Sequence, residues 1–144
     1  MSLLDLSEVR AQAALALAPA TDDDPDVHAD IVDALVPPCL MLDWGNPWLT
    51  ATSFDGSSWE ARFVVWAVAG RVEPGPGIAT LEWLIAYVKN RLQADPYPWP
   101  VATSVSPVRY EFGGVPYLSA RFEYDVPVAV EAPADVPVLI GGSY

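Results

Sequence analysis

One cysteine, one histidine and seven basic side chains leave this chain short of the usual material for site chemistry. The single Cys39 excludes an internal disulfide and any multi-cysteine metal site. It lies in Pro38-Cys39-Leu40-Met41-Leu42, so it reads as a small buried hydrophobe. An apolar setting raises a thiol's pKa, which argues against a Cys39–His28 nucleophilic couple. A Ser-His-Asp set would have to use His28 as its base, and no serine sits in a Gly-x-Ser-x-Gly elbow. Seven Lys and Arg against nineteen Asp and Glu give a formal net charge of −12. That excludes ordinary phosphate-backbone binding, which needs clustered bases, and docking on anionic membranes. No run approaches the ~18 apolar residues of a spanning helix. The N-terminal residues have no basic stretch and their apolar run is broken by Asp5 and Glu8, so no signal peptide is expected.

What the chain has in quantity is apolar surface. Its 144 residues fit one domain, yet 52% are hydrophobic and only 18% charged, against about 25% charged in typical soluble domains. Mean hydropathy is +0.24. A domain of this size cannot bury all of that surface within itself, so part of it is expected to face a partner.

The pattern predicts an α+β domain over 1–130: a small mixed or antiparallel sheet with two main helices packed on it. Leu6, Val9, Ala13 and Leu17 recur at helical spacing within a helix over 3–18, with Ser2 as cap, Asp5 three positions on, and Pro19 as stop. Residues 19–38 read as linker with a short helix between Ala29 and Val36. Cys39–Asp43 is a short strand, 44–48 a turn in which Gly45 and Asn46 tolerate positive φ, and 48–52 a second short strand. Trp59–Ala69 is the clearest strand. One face (Trp59, Ala61, Phe63, Val65, Ala67) is apolar throughout, and the other is apolar only toward its end (Val64, Trp66, Val68). A Pro/Gly loop over 70–77 leads to a helix running to about Gln93, with Ile78, Leu81, Ile85, Val88 and Leu92 as its core stripe. Residues 95–100 form a stiff proline-rich connector. Two alternating strands follow around Gly113-Gly114, a hairpin signal, with Pro107 placing the first at an edge. Arg109 and Glu111 are expected to lie opposite Arg121 and Glu123. Residues 131–144 read as an extended tail whose apolar end would dock on a neighbouring subunit.

Two loops invite a ligand. Asp22, Asp24, Asp26, His28, Asp30 and Asp33 fall at positions 1, 3, 5, 7, 9 and 12 of a calcium loop. Position 6 is Val27 where glycine is needed, and position 12 is not Glu, so the segment reads as a solvated acidic loop. Residues 70–77 sit where a phosphate loop belongs, but lack the Gly-Lys-Ser/Thr ending and carry prolines in place of N–H donors. No cofactor or metal is expected. The candidates for contact are aromatic or glycine-based: Trp44 and Trp48 at the turn, Trp66 on the strand, Trp83 and Tyr87 on the second helix, and Gly113 and Gly114 at the hairpin. The Trp-rich 44–59 region admits a second reading, a small-ligand or carbohydrate-binding module, and His28 a third, an enzyme subunit.

The order of elements resembles the tail terminator proteins of long-tailed, non-contractile phages, of the kind that infect actinobacteria. The resemblance is carried by the N-terminal helix, Val36-Pro37-Pro38-Cys39-Leu40-Met41-Leu42 entering a strand, and the turn Asp43-Trp44-Gly45-Asn46-Pro47-Trp48. It continues through the long strand to Val68, the helix 78–93 and the hairpin Gly113-Gly114-Val115-Pro116-Tyr117, covering roughly residues 3–128. It leaves out the acidic segment 21–30 and the tail. It implies a structural virion protein without an active site, found at the neck after assembly in the host cytoplasm. Such proteins form a homo-oligomeric ring, a hexamer, on the last ring of the major tail tube protein. The ring stops polymerisation and joins the head-side connector or stopper protein, and DNA passes through it without sequence-specific binding. An acidic lumen would keep that DNA from sticking. Another neck or tail-completion protein of similar fold is the alternative within the same class.

Overall fold

The computed structural model describes residues 3–29, 36–56, 58–72 and 77–130. Along the chain come α1 (Leu6–Leu17), β1 (Asp26–His28), β2 (Cys39–Ala51), β3 (Trp59–Arg71), α2 (Ile78–Ala94), β4 (Ser104–Phe112) and β5 (Val115–Val128). The strands form a five-stranded mixed sheet in the order β1-β2-β3-β5-β4, so the fold is α+β as expected. β1 runs parallel to β2, and every other pairing is antiparallel.

The two-faced pattern of β3 organises the molecule. Ala61, Phe63, Val65, Ala67 and Ala69 meet Leu40 and Leu42 of β2 and Ala120, Phe122, Tyr124, Val126 and Val128 of β5 in one core. Both helices close that core from the same side, α1 with Val9, Ala13 and Leu17, α2 with Leu81, Leu84, Val88 and Leu92. The opposite face is apolar only at one end. There Val68 joins Cys39, Met41 and Tyr117 in a second, smaller core, with Trp66, Tyr110, Phe112 and Val115 over it.

Helix α1 starts later than its sequence signal. Asp5, not Ser2, is the cap: its carboxylate accepts from the Glu8 N–H at 2.8 Å while Glu8 accepts from the Asp5 N–H at 2.9 Å. This reciprocal box holds because Asp and Glu sit three apart, the spacing it requires. On α2 the buried stripe takes in Leu84 and leaves Ile78 62% exposed. The reason is α1, which lies on the Leu84 flank: the Tyr87 hydroxyl donates to the Leu17 carbonyl at 2.9 Å and draws α2 that way.

Three expectations need correction. Residues 44–48 are no turn. β2 runs through them as one strand, with a register break between Trp44 and Leu49, because Pro47 interrupts the ladder without reversing the chain. Gly45 does not use positive φ. It is needed for close approach, since a Cβ there would lie 2.4 Å from Arg62 Cγ. Arg109 and Glu111 do not face Arg121 and Glu123. The two-residue turn pairs Phe112 with Val115, which places Arg109 opposite Leu118 and Glu111 opposite Pro116. Both turn glycines have positive φ, +59° and +79°, the combination that a two-residue hairpin demands. The short helix between Ala29 and Val36 and the tail 131–144 lie, in the first case almost wholly, outside the described residues.

Candidate interaction surfaces

The aromatic candidates fall into three separate places. Trp44 sets its edge against Phe63 (5.3 Å between centroids) and stacks on Trp48 at 5.8 Å. Phe63 continues the column to Trp99 at 5.9 Å, and Trp99 meets Tyr97 at 4.9 Å and Tyr124 at 6.4 Å. The column therefore begins in the core and surfaces at Trp48, which is 56% exposed. With Trp44 covered from two sides, the bulge presents one free indole rather than the paired platform that sugar stacking uses.

Trp83 and Tyr87 stand one turn apart on α2, 6.0 Å between rings. Tyr87 is a tie between helices, with its ring under the Arg91 guanidinium at 4.8 Å, and burial raises its pKa. Trp83 is 41% exposed and is the outward-facing member of the pair. Trp66 roofs the smaller core. It packs on Tyr110 at 5.1 Å, takes the Arg121 guanidinium over its ring at 5.6 Å, and donates Nε1–H to Asp43 at 3.2 Å. Beneath it Cys39 is fully buried, and burial pushes its thiol pKa up to about 11. It is a packing residue, as expected.

A groove of about 510 Å³ lies between α2 and the chain entering β4. Ile85 and Leu92 form one wall, Pro100, Val101 and Val105 the other, and Phe122 and Tyr124 the floor. Lys89 stands at its rim as the one charged residue of the lining. Val101 is 90% exposed. Trp99 holds the second wall in place: its Nε1–H donates at 2.9 Å to Asp95, whose carboxylate also accepts from Gln12 of α1 at 3.0 Å. The sequence carried a signal of this groove in Val101 and Val105, apolar residues after a proline run with no helical stripe to serve.

The hairpin Gly113-Gly114 closes β4 onto β5 beside a second, smaller cleft of about 300 Å³ lined by Arg71, Val72, Arg109, Val115 and Pro116. Among the described residues no group of three metal-ligating side chains occurs. Within the acidic segment, the Asp24 carboxylate accepts from the Ala20 and Thr21 N–H groups (2.9 and 3.2 Å) and from Arg91 (3.1 Å). His28 sits on β1, and Asp30 and Asp33, which a calcium loop would need, lie outside the described residues. Much of the Pro/Gly loop also lies outside them, while β3 itself extends to Arg71. The geometry thus offers apolar and arginine-lined recesses and exposed aromatics on a rigid sheet, a chemistry of contact rather than of bond-making. No protein-family model and no curated protein matches the chain.

Proposed function

We propose that this chain is a phage tail terminator: a structural virion protein that forms a ring on the head-proximal end of the tail tube, stops its growth and presents the surface that joins the connector. The observation that carries the reading is the order of elements, helix, Pro-Pro-led strand, Trp/Pro interruption, long strand, amphipathic helix and glycine hairpin, folded into one mixed sheet with both helices on one face. Its support is the unpartnered surface left over: the groove beside α2, exposed Trp48 and Trp83, and β4 as a free sheet edge. A ring subunit needs such surfaces for its neighbours on both sides and for the tube and connector above and below. On this reading the protein is not an enzyme, takes no cofactor, and lets DNA slide past an acidic surface. Deleting the gene from the phage that encodes it tests the reading. Tails of uncontrolled length that fail to join heads are expected, and normal virions would overturn it.

A further inference from the structure

The sheet carries opposite charges on its two edges. One row of paired residues crosses it: Asp26 beside Cys39, Cys39 beside Val68, Val68 beside Ser119, Ser119 beside Val108. Four strand spacings separate the ends of that row, roughly 19 Å. At the β1 end Asp24 is consumed internally by Arg91 and two backbone N–H groups, which fixes the loop and leaves Asp22, Asp23 and Asp26 exposed. At the β4 end Arg109 follows Val108 directly, and Arg71 lies three residues past Val68. Both are exposed, and both line the same cleft of about 300 Å³.

Those two arginines stand out in a chain where acids outnumber bases nineteen to seven. Arg62, Arg91 and Arg121 are each paired with a carboxylate of their own chain, Asp125, Asp24 and Glu123. Arg71 and Arg109 have no carboxylate within salt-bridge distance among the described residues, although they share a recess. Two like charges side by side repel unless an anion lies between them.

We infer that a second copy of this chain docks head to tail, its exposed Asp22, Asp23 and Asp26 against the Arg71–Arg109 cleft of the first. A two-fold contact would set arginines on arginines or acids on acids. Only a heterologous contact pairs the edges with opposite sign, and heterologous contacts close into rings or continue as filaments. The strand directions agree: β4 runs opposite to β1, so the two edges meet antiparallel. This deepens the terminator reading and rests on it for closure into a ring, while the contact itself is tested without phage.

The experiment is sedimentation velocity over a wide concentration range at low and high salt. It uses the full chain, Arg71→Glu/Arg109→Glu, Asp22→Arg/Asp23→Arg, and an equimolar mixture of the two reversed variants. All four positions are exposed, and circular dichroism checks the fold. The wild type should self-associate, more weakly at high salt. Each reversed variant alone should associate at least about tenfold more weakly. The mixture should recover association, because each variant then offers the edge the other lacks. A wild type that stays monomeric throughout, reversed variants that associate like it, or a mixture that recovers nothing would overturn the inference. Each of those results leaves the tail-length phenotype to decide the terminator reading separately.

Discussion

Replacing Gly45 by alanine isolates a single steric contact. Gly45 is buried in the interruption of β2, and the Arg62 stem lies across it from β3. An added Cβ would sit 2.4 Å from Arg62 Cγ, 2.5 Å from Cδ and 3.1 Å from Cβ. The last distance means that swinging the end of the side chain is not enough; the Arg62 stem or the strand must shift. Overpacking of this kind costs about 1–3 kcal/mol. The reduced entropy of the unfolded chain returns about 0.4–1 kcal/mol. Moving Arg62 also breaks its pairing with Asp125 at 3.6 Å, but both side chains are more than a third exposed, so this adds only a few tenths of a kcal/mol. The net expectation is a destabilisation of about 1–2 kcal/mol, or roughly 3–8 °C in Tm. Urea unfolding of Gly45→Ala, Arg62→Ala and the double variant measures it. If the contact is the cause, Gly45→Ala should cost little once Arg62 is trimmed. Costs that add to within about 0.5 kcal/mol in the double variant would refute the steric account.

Asp95→Ala should destabilise the protein by about 2 kcal/mol, since it leaves the Trp99 indole N–H and the Gln12 amide without their shared acceptor. A smaller loss in Trp99→Phe than in Asp95→Ala, measured by urea unfolding, would match this shared role. The Cys39 thiol, buried and raised to about 11, should react with a disulfide reagent at pH 8 only at the rate of unfolding; reaction at the rate of a free thiol would contradict its burial. Hydrogen bonds from the Ala20 and Thr21 N–H groups, then the Arg91 charge, hold the Asp24 carboxyl below its ordinary value of 3.8. Its contribution to stability is therefore complete above pH 3.8 and fades as pH falls through the lower folded value. Asp24→Asn should flatten the acid limb of the stability–pH curve, and an unchanged limb would remove Asp24 from that account.

Much of the fold was legible because it repeats a period. β3 wrote both cores into its alternation, one face apolar along its length and the other only from Val64 onward. The glycine pair fixed the β4–β5 hairpin, and Val9, Ala13 and Leu17 marked the inner face of α1. What escaped the sequence lacked a local signal. β1 is three residues inside an acidic, proline-containing stretch, and its partner strand lies beyond ten intervening residues. β2 was cut in two because Gly45, Asn46 and Pro47 have turn chemistry, while the flanking pairs with β3 carry the strand across. The groove beside α2 joins residues from a helix, a connector and two strands. Arg71 and Arg109 share a cleft only through the register of β5, which pairs Tyr117 with Arg71 and Leu118 with Arg109.

The most direct test of the central claim is to let the phage's major tail tube protein polymerise alone and with this purified chain, and to measure the tubes by electron microscopy. The terminator account predicts that the chain arrests growth and sits as a ring at one end of each tube. An unchanged length distribution with bare ends would contradict it.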